Sequence, residues 1–169
     1  KDVIQLVQGE GKTGAQLVSS NVDMIGFVGS RATGQAIMAA AVGSLKRLVL
    51  ELGGKDPLIV LADTDLEAAA KCAVTHSLRN TGQVCCSVER IYVADEIADA
   101  FEAKVLEFAA KWTHGSGFEE GVRMGPMVSI AQRARCHAQV EDAIAKGARL
   151  LMGGEIPSGK GSFYPTTVV

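Results

Sequence analysis

The chain has 169 residues, is 47% hydrophobic and 21% charged, and carries a formal net charge of -2 with aromatics at only 5%. This is a globular composition, which excludes global disorder and requires a core built from Val, Leu, Ile, Ala and Met. The charges are dispersed, so the concentrated basic face that nucleic acid requires is missing, and apolar runs such as AIMAAAV and PLIVLA are too short to span a bilayer.

In chain order, VIQLV (3–7) is expected to be a short buried strand and Thr13 to Ser20 a short helix. MIGFV (24–28) is strand-like and leads into a helix from Ala32 to about Val42. RLVLEL (47–52) and PLIVLA (57–62) are expected strands, separated by a Gly-Gly turn with Pro57 opening the second. DTDLEAAAKCAVTHSLRN predicts a helix capped by Asp63 or Thr64, with Asp65 and Glu67 suiting its dipole. VERIYV (88–93) is a strand. The next helix, DEIADAFEAKVLEFAAKW, sets Ile97, Phe101, Val105 and Phe108 on one face. Gly115 to Gly125 reads as a polar loop, and Ser129 starts a helix that ends before Gly147. ARLLMGG (148–154) and FYPTTVV (163–169) read as strands. Strands alternating with helices predict an α/β fold with a largely parallel sheet. LELGGKDP breaks that alternation, which points to a passage from one sheet to another.

Two glycine-rich turns could hold a ligand. Gly9, Gly11 and Gly14 have G-x-G-x-x-G spacing between an expected strand and helix, the context of a dinucleotide fingerprint. The acid expected at the end of the next strand is missing, so a plain glycine turn is the reading taken. In FVGSRATG, Gly29 lets backbone approach a ligand, Ser30 offers a hydroxyl and Gly34 lies one turn into the helix. An anion on that helix N-terminus and a simple capped turn both remain open.

The four cysteines, Cys72, Cys85, Cys86 and Cys136, sit in a chain whose first residues lack the basic-then-apolar order of a signal peptide. A reducing, intracellular and most simply cytoplasmic setting with free thiols is therefore expected. Cys72, His76 and the vicinal pair could be assembled into a zinc set, but the spacing argues against it and no metal is expected. Cys72 and Cys136 read as buried apolar residues, and His76 as an ordinary helix histidine. Cys85 follows Gly82 on a loop between a helix and a strand, where backbone N–H groups lower a thiol pKa and make an oxyanion site. A nucleophilic cysteine needs a base. Glu51, in an otherwise apolar strand, is the candidate, since a carboxylate set among apolar neighbours can shuttle protons near neutrality; a strand glutamate facing water is the plainer alternative. A cysteine hydrolase would need a histidine base, and His76, His114 and His137 carry no suggestive context.

LELGGK followed by NTGQVCCS resembles the glutamate and cysteine signatures of the aldehyde dehydrogenase superfamily. FVGSRATG resembles that family's phosphate-binding turn, MGPMVS its later Gly-Pro segment, and FYPTTVV the strand before a further acidic motif. The resemblance runs in order along nearly the whole chain. It implies a central fragment: a Rossmann-like parallel sheet remnant, residues 1–52, ending the cofactor domain, then the first part of an α/β catalytic domain, residues 53–169. Cys85 is then the nucleophile that attacks a small-molecule aldehyde to give a thiohemiacetal, with the Cys85 N–H holding the oxyanion. Hydride passes to NAD or NADP, and Glu51 activates the water that hydrolyses the thioester. Gly29, Ser30 and Gly34 fall at the cofactor pyrophosphate, and Gln132 and Arg135 near the nicotinamide-side ribose. Arg79, Asn80 and Cys86 fall on the substrate side, with Cys86 a packed bystander. The full-length protein is expected to be a homo-oligomer.

The departures are specific. Arg31 stands where family members carry a small hydroxyl residue, and Ala32 where they carry an acid. The helix after them is about one residue short near Val42 to Leu45. Arg79 replaces a common aromatic and suits an anionic aldehyde such as a semialdehyde acid; a solvated helix-end arginine is the duller alternative. The family's oxyanion-hole asparagine, adenosine-ribose lysine, C-terminal acidic motif and oligomerisation arm have no counterpart here. The alternatives to oxidation are a fragment that folds and self-associates without catalysis, and cofactor-independent thiol esterase chemistry.

Overall fold

The computed structural model describes residues 3–169. The chain divides into two compact units, Lys1–Gly54 and Lys55–Val169.

In the first unit, α1 (Gly11–Ser19) precedes β1 (Met24–Gly29), α2 (Arg31–Ala41), a 3-10 turn (Val42–Ser44) and β2 (Arg47–Leu52). β1 and β2 pair in parallel, Met24 opposite Arg47 and Gly29 opposite Leu52. Alternation explains their two faces. Ile25, Phe27, Leu48, Leu50 and Leu52 are half-buried, whereas Met24, Val28, Val49 and Glu51 are exposed. Gly34, Ile37 and Ala41, three to four residues apart, form the buried stripe of α2. A Cβ on Gly34 would lie 2.8 Å from a Leu52 methyl, so a bare backbone here lets α2 approach β2. The Lys46 ammonium donates to the Val18 carbonyl at 2.8 Å, tying the end of α1 to the start of β2.

The expected strand at 3–7 is not formed. Val3 and Ile4 are 93% and 92% exposed, and β1 pairs with β2 alone, so the segment has no ladder partner among the described residues. α1 starts at Gly11, inside the glycine run, without a side-chain cap. The strand-turn-helix context of a dinucleotide fingerprint is therefore absent at Gly9 to Gly14.

In the second unit, β3 (Asp56–Val60), α3 (Leu66–Leu78), a 3-10 turn (Arg79–Gly82) and β4 (Val88–Val93) are followed by a 3-10 turn (Asp95–Ile97), α4 (Ala98–Ala109) and α5 (Ile130–Ala145). β3 and β4 are again parallel, Asp56 opposite Val88 and Val60 opposite Val93. The register shifts between Asp56 and Pro57, where the proline has no N–H for the ladder. The core joins Val60 to Ala70, Ala73 and Val74 of α3 and to Phe101, Val105 and Ala109 of α4. Small alanines on α3 let α4 come close, and Ile97 and Phe108 pack at the margin as the amphipathic pattern predicts. β2 and β3 lie in different sheets, so the Gly-Gly turn does mark the change of sheet.

Three expectations for this unit need correction. Asp65, not Asp63 or Thr64, caps α3, its carboxylate accepting from the Ala68 N–H at 3.0 Å. Cys72 is exposed, not buried, because it lies on the side of α3 opposite Ala70, Ala73 and Val74. ARLLMGG and FYPTTVV form no strands and meet only in one antiparallel bridge, Met152 to Val168. Gly153 (φ 69°) and Gly154 (φ 86°) turn the backbone out of the extended region and stop the ladder. Ser129 caps α5 as expected, accepting from the Gln132 N–H at 3.2 Å. Among the described residues no helix is long and apolar enough to cross a membrane.

Candidate active site

The cysteine pair lies at the tip of a tight turn in the second unit. The Ser87 N–H donates to the Val84 carbonyl at 3.1 Å, leaving Cys85 and Cys86 as the two central residues, both exposed. Cys86 is therefore no packed bystander, since a two-residue tip offers neither thiol a place in the core. Behind the tip, Ser87 is buried and donates to the His76 carbonyl at 3.2 Å, while the Ser77 hydroxyl donates to the Val88 carbonyl at 2.7 Å. These bonds fix the turn to the end of α3 and the start of β4.

The approach to the turn is more unusual. Asn80 (φ 51°), Thr81 (φ 59°) and Gly82 (φ 71°) are successive left-handed residues. Asn tolerates that region; a β-branched Thr does so at a cost, so surrounding bonds must hold it. Those bonds are present. The Asn80 amide donates to the Gln83 carbonyl at 3.0 Å, and the Gln83 amide returns a bond to the Asn80 carbonyl at 3.1 Å. Gln83 Oε1 also accepts from the Val128 N–H at 2.8 Å, and the Thr81 hydroxyl donates to the Gly125 carbonyl at 3.1 Å. The MGPMVS segment thus braces the cysteine loop. Sequence reasoning missed Thr81, Gln83 and Ser87 as positioning residues. Asn80 before Thr-Gly signalled a left-handed turn, but nothing local announced the partners at Gly125 and Val128.

Arg79 is the exposed C-cap of α3, at the entrance to the loop. Gln132 and Arg135 are exposed on the first turns of α5. A groove of about 550 Å³ runs behind the loop, lined by Thr81, Gln83, Cys136 and Tyr164 but by neither tip cysteine. Burial pushes the Cys136 thiol above its ordinary range, against the nearby Lys55 cation. Tyr164 is likewise pushed up, first by burial and then by Cys136. No group of three His, Cys, Asp or Glu side chains among the described residues is placed to hold a metal.

In the first unit, Glu51 lies on β2 opposite Val28 and is exposed. It is not packed among apolar side chains as its sequence context suggested, because Leu50 and Leu52 point to the other face. At FVGSRATG, the Ser30 hydroxyl accepts from the Thr33 N–H at 3.2 Å and caps α2, whose first turn carries no acid. Gly29 is exposed at the end of β1, and a Cβ there would lie 2.5 Å from the Phe27 ring. The exposed N-terminus of α2, open N–H groups and the absence of nearby carboxylates in its first turn suit a phosphate group. α2 runs into the 3-10 turn Val42–Ser44, after which Leu45 is left-handed at φ 53°.

The sequence profile of the aldehyde dehydrogenase family matches residues 1–169, that is, the whole chain. The chain belongs to the aldehyde dehydrogenase family. It is similar to the succinate semialdehyde dehydrogenase (NAD(P)+) of Escherichia coli strain K12, 45% identical over 150 residues, which cover 89% of the chain and 32% of that relative. Among solved structures it resembles lactaldehyde dehydrogenase from Escherichia coli, with a TM-score of 0.91 and 39% identity over 95% of the chain and 34% of that protein. It also resembles betaine aldehyde dehydrogenase from Staphylococcus aureus in complex with NAD+, with a TM-score of 0.89 and 33% identity over 95% of the chain and 33% of that protein. The chain therefore spans about a third of the length of these aldehyde dehydrogenases.

Proposed function

We propose that this chain supplies the nucleophile, the deacylating base and part of the cofactor turn of an enzyme that oxidises an aldehyde to a carboxylic acid with NAD or NADP. The observation that carries the proposal is the braced turn that holds Cys85 at an exposed tip. Residues 1–52 are the end of the cofactor domain and residues 53–169 the start of the catalytic domain.

Gly29 and the first N–H groups of α2 would hold the cofactor pyrophosphate beside Ser30. Gly34 keeps the helix against β2, and Gln132 and Arg135 would meet the nicotinamide-side ribose. Bound NAD or NADP supplies the hydride acceptor. The Cys85 thiolate adds to the aldehyde carbon, forming a C–S bond and an oxyanion that the Cys85 N–H stabilises. Once that carbon has lost hydride, the same sulfur carries the acyl group as a thioester. Glu51 takes a proton from water, the water oxygen attacks the thioester carbon, and the C–S bond breaks to give the acid and the Cys85 thiol. Asn80 and Cys86 line the substrate side. Arg79 at the loop entrance favours an aldehyde with an anionic far end, a reading supported by the name of the Escherichia coli semialdehyde relative.

Limiting iodoacetamide followed by peptide mapping tests the nucleophile. Fast single labelling at Cys85, with Cys86 spared, is expected; equal labelling of the two rejects it. In the full-length enzyme, Cys85→Ser should abolish oxidation, whereas Glu51→Gln should accumulate the thioester after a normal first turnover. Arg79→Phe should erase any preference for charged over neutral aldehydes, and an unchanged preference would end that assignment. One observation favours the non-catalytic reading: Met24, Val28 and Val49 leave an apolar sheet face exposed. Sedimentation of the 169-residue chain tests it, and a monomer at every concentration removes it.

A further inference from the structure

Cys85 and Cys86 sit side by side at one tip and both are exposed, so exposure alone gives neither thiol an advantage. What differs is how each is held. Behind Cys86, Ser87 is buried and bonded to the end of α3. Ahead of Cys85, the backbone runs through the left-handed residues Asn80, Thr81 and Gly82. A β-branched residue in that region is strained, and such a run persists only where surrounding bonds over-determine it. Two of those bonds reach a distant segment: Thr81 Oγ1 to the Gly125 carbonyl, and Gln83 Oε1 to the Val128 N–H. That segment is itself gripped from elsewhere. The Met127 N–H donates to the Ser162 carbonyl at 3.0 Å, the Ser162 hydroxyl donates back to the Met127 carbonyl at 2.5 Å, and Ser129 caps α5. Gln83 therefore holds on to a fixed point. It also faces the other way, since its backbone N–H and its Nε2 both donate to the Asn80 carbonyl, at 3.1 Å each.

We propose that Thr81 and Gln83 are the positioning residues that single out Cys85 from Cys86. They clamp the left-handed run to the start of α5, and the clamp fixes the direction of the Cys85 thiol and N–H. Released, Thr81 relaxes out of the left-handed region and the chain ahead of Cys85 swings, while Cys86 stays tied to Ser87. Both side chains act through the backbone. The inference rests on the reading of Cys85 as the nucleophile and adds to it the source of the choice between two adjacent thiols.

The test is the ratio of Cys85 to Cys86 labelling by limiting iodoacetamide, read by peptide mapping of the 169-residue chain. Thr81→Ala and Gln83→Met each remove one bond to the segment and should lower the ratio about 3-fold; the double variant should lower it about 10-fold. Thr81→Gly separates strain from mere loss of contact. It too lacks the hydroxyl, but glycine enters the left-handed region freely, so its ratio should stay within about 2-fold of the parent chain. The rate at Cys86 should hold steady throughout. A double variant with the parent ratio, a Thr81→Gly variant that falls as far as Thr81→Ala, or a ratio that tracks the urea transition of Trp112 from variant to variant overturns the clamp. A parent chain that shows no preference for Cys85 is a different failure: it removes the nucleophile itself, and the clamp with it.

Discussion

The two units are built from the same plan and reach different degrees of burial. Each pairs two parallel strands across one intervening helix. In the first, only Gly34, Ile37 and Ala41 are buried among the described residues, and the best-placed strand residues stay half-exposed. In the second, α4 adds another layer, and Val60, Ala73, Val74, Phe101 and Val105 close into a core. Strand apolarity does not separate them, since RLVLEL is as hydrophobic as DPLIV. The difference is what backs the covering helix: α4 packs on α3 and joins its core, while each sheet leaves one face open, Val28 and Val49 in the first and Ile59 and Tyr92 in the second.

The sharpest way to break the comparison is Phe101→Ala. It removes a ring at the centre of the closed core and should cost about 3–5 kcal/mol. Urea unfolding read by the fluorescence of Trp112, the single tryptophan, reports on this unit. A loss below 1 kcal/mol would mean that the second core is as loose as the first. Ile37→Ala in the first unit should cost about 2 kcal/mol, with faster hydrogen exchange in β1 and β2 and the Trp112 transition unmoved. Gly82→Ala should cost about 1–2 kcal/mol, because a side chain at φ 71° would also lie 3.2 Å from the Ser77 carbonyl. Its signature is slower labelling at Cys85, and unaltered labelling would show that the loop is not held by its backbone. Asp65→Ala should cost about 1 kcal/mol, visible as fraying of the first turn of α3 and nowhere in the first unit.

A pH series sharpens the contrast between tip and interior thiols. Alkylation requires the thiolate. Burial raises the folded-state pKa of Cys136, so its labelling should rise through a higher pH window in the folded chain than in urea. Superposition of the two profiles would show Cys136 to be as wet as Cys72.

The elements that sequence described well were those with a complete local signal. Ser129 carried its own cap into α5, and Ile97, Phe101, Val105 and Phe108 carried the period of α4. The failures share a cause. VIQLV and ARLLMGG are apolar enough for strands, but a strand exists only with a ladder partner, and no local pattern announces one. The turn at Cys85 was readable from Gly82 and the vicinal thiols. Its bracing was not, because Gln83 reaches Val128 and Thr81 reaches Gly125 across a long separation in sequence. Glu51 was legible as a polar residue in an apolar strand, whereas its exposure depends on which face α2 covers.

The way each sheet closes bears on how the chain is made. Met24 meets Arg47 across α2, and Asp56 meets Val88 across α3, so neither pairing waits for a remote stretch of polypeptide. Each pairing closes a smaller loop, at a lower entropy cost, than pairing with a strand far along the chain would. On a translating ribosome the first pair has all its residues once Leu52 has emerged, before β4 has left the tunnel. The two halves of this stretch can therefore begin folding one after the other, in the order in which they leave the exit tunnel.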